Sequence, residues 1–201
     1  MLLVTPKQTE VPAISEVIDT LPKNGIFLFN LFSSEKCEEL KKCINEICTK
    51  DESELIPKTN VKCLSLRDVD IFNNAPIHLQ EYVHTKFNNL ASTMISKYGL
   101  PCSNLSMAQF RKIYGPTKLH WDGTILNKES NAEQPRRSMA IVVALNDDYE
   151  GGEFIFPLQD YKIKLKKGQA LMFPPYWTHP HRTEDLKNGT FRYTINNWFF
   201  E

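Results

Sequence analysis

Apolar residues recur along this chain in two different rhythms, helical in the first half and strand-like in the second. Between Pro22 and Ser33-Ser34, the run Gly25-Ile-Phe-Leu-Phe-Asn-Leu-Phe32 is rich in residues that favour extended backbone and predicts a strand. Ser33-Ser34-Glu35-Lys36 then supplies a hydroxyl cap and an early acid, the usual opening of a helix. Leu40, Ile44 and Ile47 follow at helical spacing with Cys43 between them. A second helix is predicted from about Pro76 to Tyr98, where Leu79, Tyr82, Val83, Phe87, Leu90, Met94 and Ile95 fit one apolar stripe. Residues 1–20 read as a leader strand or arm containing Pro6 and Pro12. Residues 51–70 are polar, with alternating pieces such as Val61-Lys-Cys-Leu64.

After Leu100-Pro101 the period shortens to two. Leu105 to Tyr114 alternates and predicts a strand, with Gly115-Pro116 as its turn. Residues 123–137 form a polar loop that includes Arg136 and Arg137 and, by length and polarity, is a candidate lid. Met139 to Leu145 is a continuous apolar run, expected to be a buried strand. Asn146-Asp-Asp148 and Gly151-Gly152 are turn residues. Short strands are predicted at 153–156, 161–165, 170–173 and 192–198. Helices followed by many short strands predict a mainly β core of the α+β class, a sandwich or barrel with helical support. The chain is expected to form one domain over 1–201, with 1–104 as strand and helical support and 105–201 as the core.

Composition narrows the function classes. Lysine plus arginine equals aspartate plus glutamate at 24 each, which argues against binding nucleic acid through bulk charge. No apolar run approaches the ~18 residues of a membrane-spanning helix, and the N-terminus has no basic start followed by a long apolar segment, so neither a membrane anchor nor a signal peptide is expected. The five cysteines, Cys37, Cys43, Cys48, Cys63 and Cys102, include no C-x-x-C pair. They read as thiols in a reducing compartment, and a cytoplasmic location is expected.

The chemistry concentrates in His120-Trp-Asp122 and, about sixty residues later, in Thr178-His179-Pro-His181-Arg182. On extended backbone, positions two apart share a side, so His120 and Asp122 present an imidazole and a carboxylate together. A histidine from another strand would complete two His and one carboxylate on one face of a metal, the ligand set of non-haem Fe(II) oxygenases. His181 or His179 can supply it. Such an iron site needs a cation for the distal carboxylate of a keto acid, and Arg192, whose planar fork pairs with carboxylates, suits that task. Tyr114 can add a phenolic hydrogen bond to the same group. Taken alone, His120 is equally a surface loop histidine and Asp122 a turn former before Gly123. Trp121, Trp177, Trp198 and Tyr176 read as core or pocket wall, and His78 and His84 as boundary residues of the second helix.

In combination these residues resemble the 2-oxoglutarate- and Fe(II)-dependent oxygenases of the prolyl 4-hydroxylase-like branch. The resemblance is carried by His120-Trp-Asp122, Asn146-Asp-Asp-Tyr-Glu-Gly-Gly152-Glu-Phe-Ile-Phe-Pro157, Lys167-Gly-Gln-Ala-Leu-Met-Phe173, His181 and Gly189-Thr-Phe-Arg192, and it covers about residues 105–200. It implies a distorted double-stranded β-helix, or jelly roll. It implies an enzyme that couples decarboxylation of 2-oxoglutarate to succinate with hydroxylation of a C–H bond. By position, His120, Asp122 and His181, with His179 as the alternative, would hold Fe(II), and Arg192 and Tyr114 would hold 2-oxoglutarate. No catalytic side chain is expected beyond the metal ligands. O2 and 2-oxoglutarate would be consumed, with ascorbate as a further candidate cofactor, and the substrate would be a small molecule or a peptide. One departure stands out: Gly189 and Arg192 lie eight and eleven residues after His181, where the family usually has its basic residue ten after the histidine. The alternatives are a non-catalytic binding or sensing jelly roll and a nucleic-acid-modifying relative. Asp122 speaks against a halogenase, which replaces the carboxylate with a small residue.

Overall fold

The computed structural model describes residues 24–48, 61–64, 73–123 and 136–201. The arm expected over residues 1–20 and residues 124–135 of the polar loop lie outside the described residues, as does most of the polar stretch 51–70. The first half contributes strand β1 (Phe27–Asn30), helix α1 (Ser34–Cys48), strand β2 (Val61–Leu64) and helix α2 (Ile77–Tyr98). The second half contributes β3 (Asn104–Leu105), β4 (Gln109–Thr117), β5 (Arg137–Ala144), β6 (Glu150–Gly151), β7 (Phe154–Phe156), β8 (Tyr161–Ile163), β9 (Gln169–Phe173), β10 (Arg182–Thr183), β11 (Leu186–Lys187) and β12 (Arg192–Phe200).

Seven of these strands make one antiparallel sheet in the order β1-β9-β5-β12-β4-β2, with β3 also paired to β12. A smaller sheet, β10-β7-β8, and the ribbon β11-β6 complete a jelly-roll sandwich. Strand alternation gives the large sheet two different faces. On one face Phe27, Phe110, Ile141, Val143, Met172, Ile195 and Phe199 pack in a single cluster with Cys37, Leu40 and Ile44 of α1 and Leu79, Val83, Phe87, Leu90 and Met94 of α2. On the other face Ala140, Val142, Leu171, Phe173 and Trp198 pack with Phe154 and Phe156 of the small sheet. β5 is therefore buried on both sides, which explains its unbroken apolar run where a half-buried strand would alternate.

The helix stripes are the ones the period predicts. α2 stops at Gly99, whose left-handed φ of 63° lets its N–H reach the Ile95 carbonyl at 2.9 Å. The strand readings need three corrections. The stretch Leu105–Tyr114 splits into β3 and β4, because Ser106 makes its own bonds to β12: its N–H donates to the Trp198 carbonyl, and its Oγ accepts the Trp198 N–H. Gly115-Pro116 is not a turn. β4 runs through it, at the point where the pairing of β4 with β2 shifts register between Val61 and Cys63. A bulge tolerates a proline without an N–H, so the Gly-Pro signal marks an irregularity inside a strand. The ribbons β6, β10 and β11, two residues each, are too short for any periodicity to reveal.

Gly168 joins the layers. Its N–H donates to the Ala144 carbonyl at 2.8 Å, and its own carbonyl accepts the N–H groups of Leu31 and Phe32 at 2.9 and 3.1 Å. It holds φ of 82°, and a Cβ there would lie 2.3 Å from the Phe32 carbonyl oxygen. Gly168→Ala should therefore cost about 3 kcal/mol through left-handed strain plus the backbone clash. Equilibrium urea unfolding checks this, and a loss below about 0.5 kcal/mol would contradict the stitching role.

Candidate active site

One cavity, of about 210 Å³, opens between the two sheets. β12 supplies Arg192, Thr194, Asn196 and Trp198 to it, while the alternate residues Tyr193, Ile195 and Phe199 point into the helix-side core. β4 lies beside β12 with Ile113 opposite Arg192 and Arg111 opposite Thr194, and both of these β4 residues also line the cavity. Alternation along the run Arg192-Tyr-Thr-Ile-Asn196 puts Arg192, Thr194 and Asn196 on one face, and that face is the one turned into the cavity.

His120, Asp122 and His181 meet at the same cavity, and their potential ligand atoms all lie within 4.8 Å of one another. The main chain brings the two histidines together. His120 and His181 form an isolated antiparallel bridge in which each N–H donates to the other's carbonyl, at 3.0 and 2.8 Å. Their rings lie 4.4 Å apart, centre to centre. The Nδ1 of His120 is 2.7 Å from the Lys118 carbonyl, and the Nδ1 of His181 is 3.2 Å from the His179 carbonyl. A carbonyl can only accept, so in each ring Nδ1 carries a hydrogen and Nε2 is the nitrogen left for the site. This is how metal-binding imidazoles are commonly oriented. His120 Nε2 lies 3.3 Å from Asp122 Oδ1. Phe173 and Phe156 pack against the His181 ring.

These surroundings set the protonation of the metal-free triad. Burial is the largest influence on His181 and lowers its pKa to about 4, so it stays neutral at ordinary pH. Burial pushes Asp122 upward, but the His120 hydrogen bond, the two nearby imidazoles and the Trp198 indole outweigh it and bring the carboxyl down to about 2. Burial also pushes His120 down, yet the Asp122 hydrogen bond and the Lys118 carbonyl raise it overall. Two imidazoles and one carboxylate gathered in one pocket fit a divalent transition metal, which would replace the proton that His120 Nε2 shares with Asp122.

The remaining predicted residues divide. Arg192 is buried, donates from Nη1 to the Gly152 carbonyl and lies over the Phe154 ring at 4.9 Å. The spacing between His181 and Arg192 is occupied by β10, β11 and the turn Asn188-Gly189, both of whose residues have positive φ. His179 is not with the triad. Its Nε2 faces the Asn24 carbonyl at 2.7 Å and its Nδ1 the Thr178 hydroxyl at 3.0 Å, so both ring nitrogens are engaged with the β1 approach and its own loop. Tyr114 is 39% exposed and does not line the cavity, because on β4 it falls between Ile113 and Gly115 on the opposite face. Trp121 and Trp177, expected as core or wall, are instead 56% and 71% exposed.

Sequence reasoning did not single out Arg111, Thr117 or Thr183 as cavity residues. Strand parity offered a signal for Arg111, which lies two residues from Ile113 on the same face of β4.

Comparison with known proteins finds likenesses of three kinds. The model of the 2OG-Fe(II) oxygenase superfamily matches residues 108–200. Prolyl 3-hydroxylase 2 of Rattus norvegicus is 34% identical over 92 residues, covering 40% of this chain and 13% of that protein. The Mus musculus protein of the same name is 26% identical over 206 residues, covering 87% of this chain and 29% of that protein. This chain thus spans less than a third of the length of those relatives. Among solved structures, the viral collagen prolyl hydroxylase of Paramecium Bursaria Chlorella virus-1 superposes with a TM-score of 0.62 at 19% identity, covering 87% of this chain and 94% of that one. A Trichoplax adhaerens prolyl hydroxylase, in complex with a hypoxia inducible factor peptide fragment, reaches 0.67 at 15% identity over 92% and 87% of the two chains. A Pseudomonas putida prolyl-4-hydroxylase reaches 0.65 at 16% identity over 94% and 98%. These likenesses carry the jelly-roll fold.

The low pKa of His181 gives a test in metal-free protein. Its folded value of about 4 lies below the ordinary value of 6.5, so unfolded chains bind the extra proton first. Stability from this group is complete above pH ~6.5 and falls as pH drops toward ~4, by up to about 3 kcal/mol. Asp122 stabilises above its ordinary range and loses that contribution only below it, outside this window, and His120 acts in the opposite sense to His181. In denaturant titrations at pH 7 and 4.5, His181→Gln should lose clearly less stability than the parent. Equal losses would show that His181 is not held neutral.

Proposed function

We propose, from the premise that residues 108–200 belong to the 2OG-Fe(II) oxygenase superfamily, that this chain is an Fe(II)- and 2-oxoglutarate-dependent dioxygenase of the prolyl hydroxylase type. The observation that carries the reading is the trio His120, Asp122 and His181, preset by its Nδ1–carbonyl bonds, in one cavity with a buried arginine. In this reading His120 and His181 hold the iron through Nε2 and Asp122 through a carboxylate oxygen. Fe(II), when bound with 2-oxoglutarate and O2, supplies the oxidising chemistry that yields succinate, CO2 and a hydroxylated substrate.

The chain's own residues perform the other tasks. Arg192 pairs with the distal carboxylate of 2-oxoglutarate; its burial makes that contact strong, because little water competes. The Gly152 carbonyl and the Phe154 ring hold the guanidinium in place for it. The Thr194 hydroxyl donates to Asn196 Oδ1 at 3.0 Å, which fixes the orientation of that amide on the cavity floor. Phe154 and Trp198 exclude water around these polar groups.

The proposed substrate is a prolyl residue within a peptide, a reading supported by the printed names of the relatives. It is also supported by exposed apolar side chains beside the ligand segment: Leu119 and Trp121, on either side of His120 in sequence, are exposed, and the rings of Trp121 and Tyr176 lie close to Gly123. Exposed apolar and aromatic surface of this kind suits an extended peptide better than a small polar metabolite. Among the described residues no helix is long and apolar enough to cross a membrane. The free thiols Cys37 and Cys102 support a reducing, cytoplasmic setting. Ascorbate as an auxiliary reductant belongs to the same proposal.

The test is succinate formation with Fe(II), 2-oxoglutarate and O2, with and without proline-containing peptides. Peptides should stimulate turnover more than free proline does. His120→Ala and Asp122→Ala should each abolish turnover at saturating Fe(II), and unchanged turnover in either would remove the central claim. Arg192→Ala should raise the apparent constant for 2-oxoglutarate by about 30-fold, the equivalent of losing a charge-assisted contact of about 2 kcal/mol. Arg192→Lys should recover only part, because lysine keeps the charge and loses the fork. A change within a factor of about two for Arg192→Ala would put the carboxylate anchor elsewhere.

A further inference from the structure

Asp122 is held from two sides by residues that belong to neither the ligand trio nor the 2-oxoglutarate anchor. Trp198 is 6% exposed, so its indole N–H must find a partner inside the protein. It donates to Asp122 Oδ2 at 3.2 Å, while the other oxygen, Oδ1, faces His120 Nε2 at 3.3 Å. Arg137 donates from Nη1 to the main-chain carbonyl of Asp122 at 2.5 Å. The same guanidinium stacks on Trp198, 4.2 Å from the ring centre. One side chain therefore fixes the Asp122 backbone and the indole that orients its carboxylate.

The sheet is built to allow this. Along β5 and β12, Trp198 pairs with Ala140 and Phe199 with Met139, but Phe200 pairs with Arg137. Ser138 is the extra residue of this bulge. In a regular strand Arg137 would alternate to the helix side; the bulge returns it to the cavity side, over Trp198.

Resting on the iron reading above, we infer that Trp198 and Arg137 form a clamp that makes Asp122 a one-oxygen metal ligand. A carboxylate has two nearly equivalent oxygens, and either or both can bind a metal. With Oδ2 held by the indole, only Oδ1 is turned to the site. Two imidazoles and one oxygen then occupy three positions, which leaves the rest of the coordination sphere for a chelating keto acid and O2. A carboxylate that swung round to bind through both oxygens would occupy one of those positions. Trp198 and Arg137 are positioning residues in this scheme: they touch the ligand and not the reacting atoms.

Titration calorimetry of Co(II) into the metal-free protein tests the clamp, alongside the visible absorption of the Co(II) form, whose intensity falls as coordination number rises. Trp198→Phe keeps a ring and removes the N–H. It should weaken Co(II) binding by about tenfold or more and lower the absorption per bound Co(II). Arg137→Gln should change both in the same direction, and it carries the test by itself if Trp198→Phe does not fold. Asp122→Ala is titrated in parallel. If Asp122→Ala abolishes binding while both clamp variants stay within about a factor of two of the parent with unaltered absorption, the clamp is overturned and the iron reading stands. If Asp122→Ala also binds Co(II) as the parent does, the iron reading fails and takes the clamp with it.

Discussion

The reciprocal main-chain bond between His120 and His181 is the contact on which the site depends. It is formed by backbone alone, yet it sets the distance between two imidazoles sixty residues apart in sequence. Each ring is then turned by a carbonyl close by in sequence, Lys118 for one and His179 for the other. The nitrogens that face inward do so because the outward ones are already hydrogen-bonded. The site is thus specified largely by peptide groups, and side-chain identity matters at few positions around it.

His179 shows how the site is tied to the rest of the fold. Its carbonyl orients His181, and its ring is bonded to the carbonyl of Asn24, just before β1. β1 runs along β9, which leads directly into the loop carrying both histidines. Gly168, at the start of β9, receives the chain as it passes from β1 to α1. The helical half of the protein therefore touches the strand-rich half at the segments that frame the cavity, as well as across the packed sheet face.

The helices were legible because their apolar stripes answer to a single partner face. The long strands were legible for the same reason, and alternation along β12 places Arg192, Thr194 and Asn196 on one face. What was not legible has local causes. Tyr114 was assigned to the cavity by residue type, and its parity on β4 puts it on the other side. The choice between His179 and His181 rested on spacing to Gly189, whereas the structure separates them by what their ring nitrogens touch. Trp198 read as a core aromatic, and half of that reading holds: it is buried against the inner cluster, but its N–H bonds Asp122. Arg137 read as part of a polar loop, and only a bulge at Ser138, which no pattern in the sequence announces, brings it onto the indole. Gly115-Pro116 carried a strong turn signal, but the chain used it to bend a strand.

β12 carries two inventories on one stretch of chain, a core on one parity and the wall of a chamber on the other. This has a consequence for how such a protein can diverge. Substitutions on the chamber parity can retune what the cavity accepts without disturbing the packing beneath the helices, and those on the other parity can drift within the limits of volume. Insertion or deletion of one residue in β12 would interchange the two sets at once, sending Arg192 into the helix-side core and Tyr193 into the chamber. Length along this strand should therefore be frozen while composition varies. Changes in length would accumulate instead in the β10–β11 excursion and the Asn188-Gly189 turn, where the extra residue between His181 and Arg192 has already been absorbed.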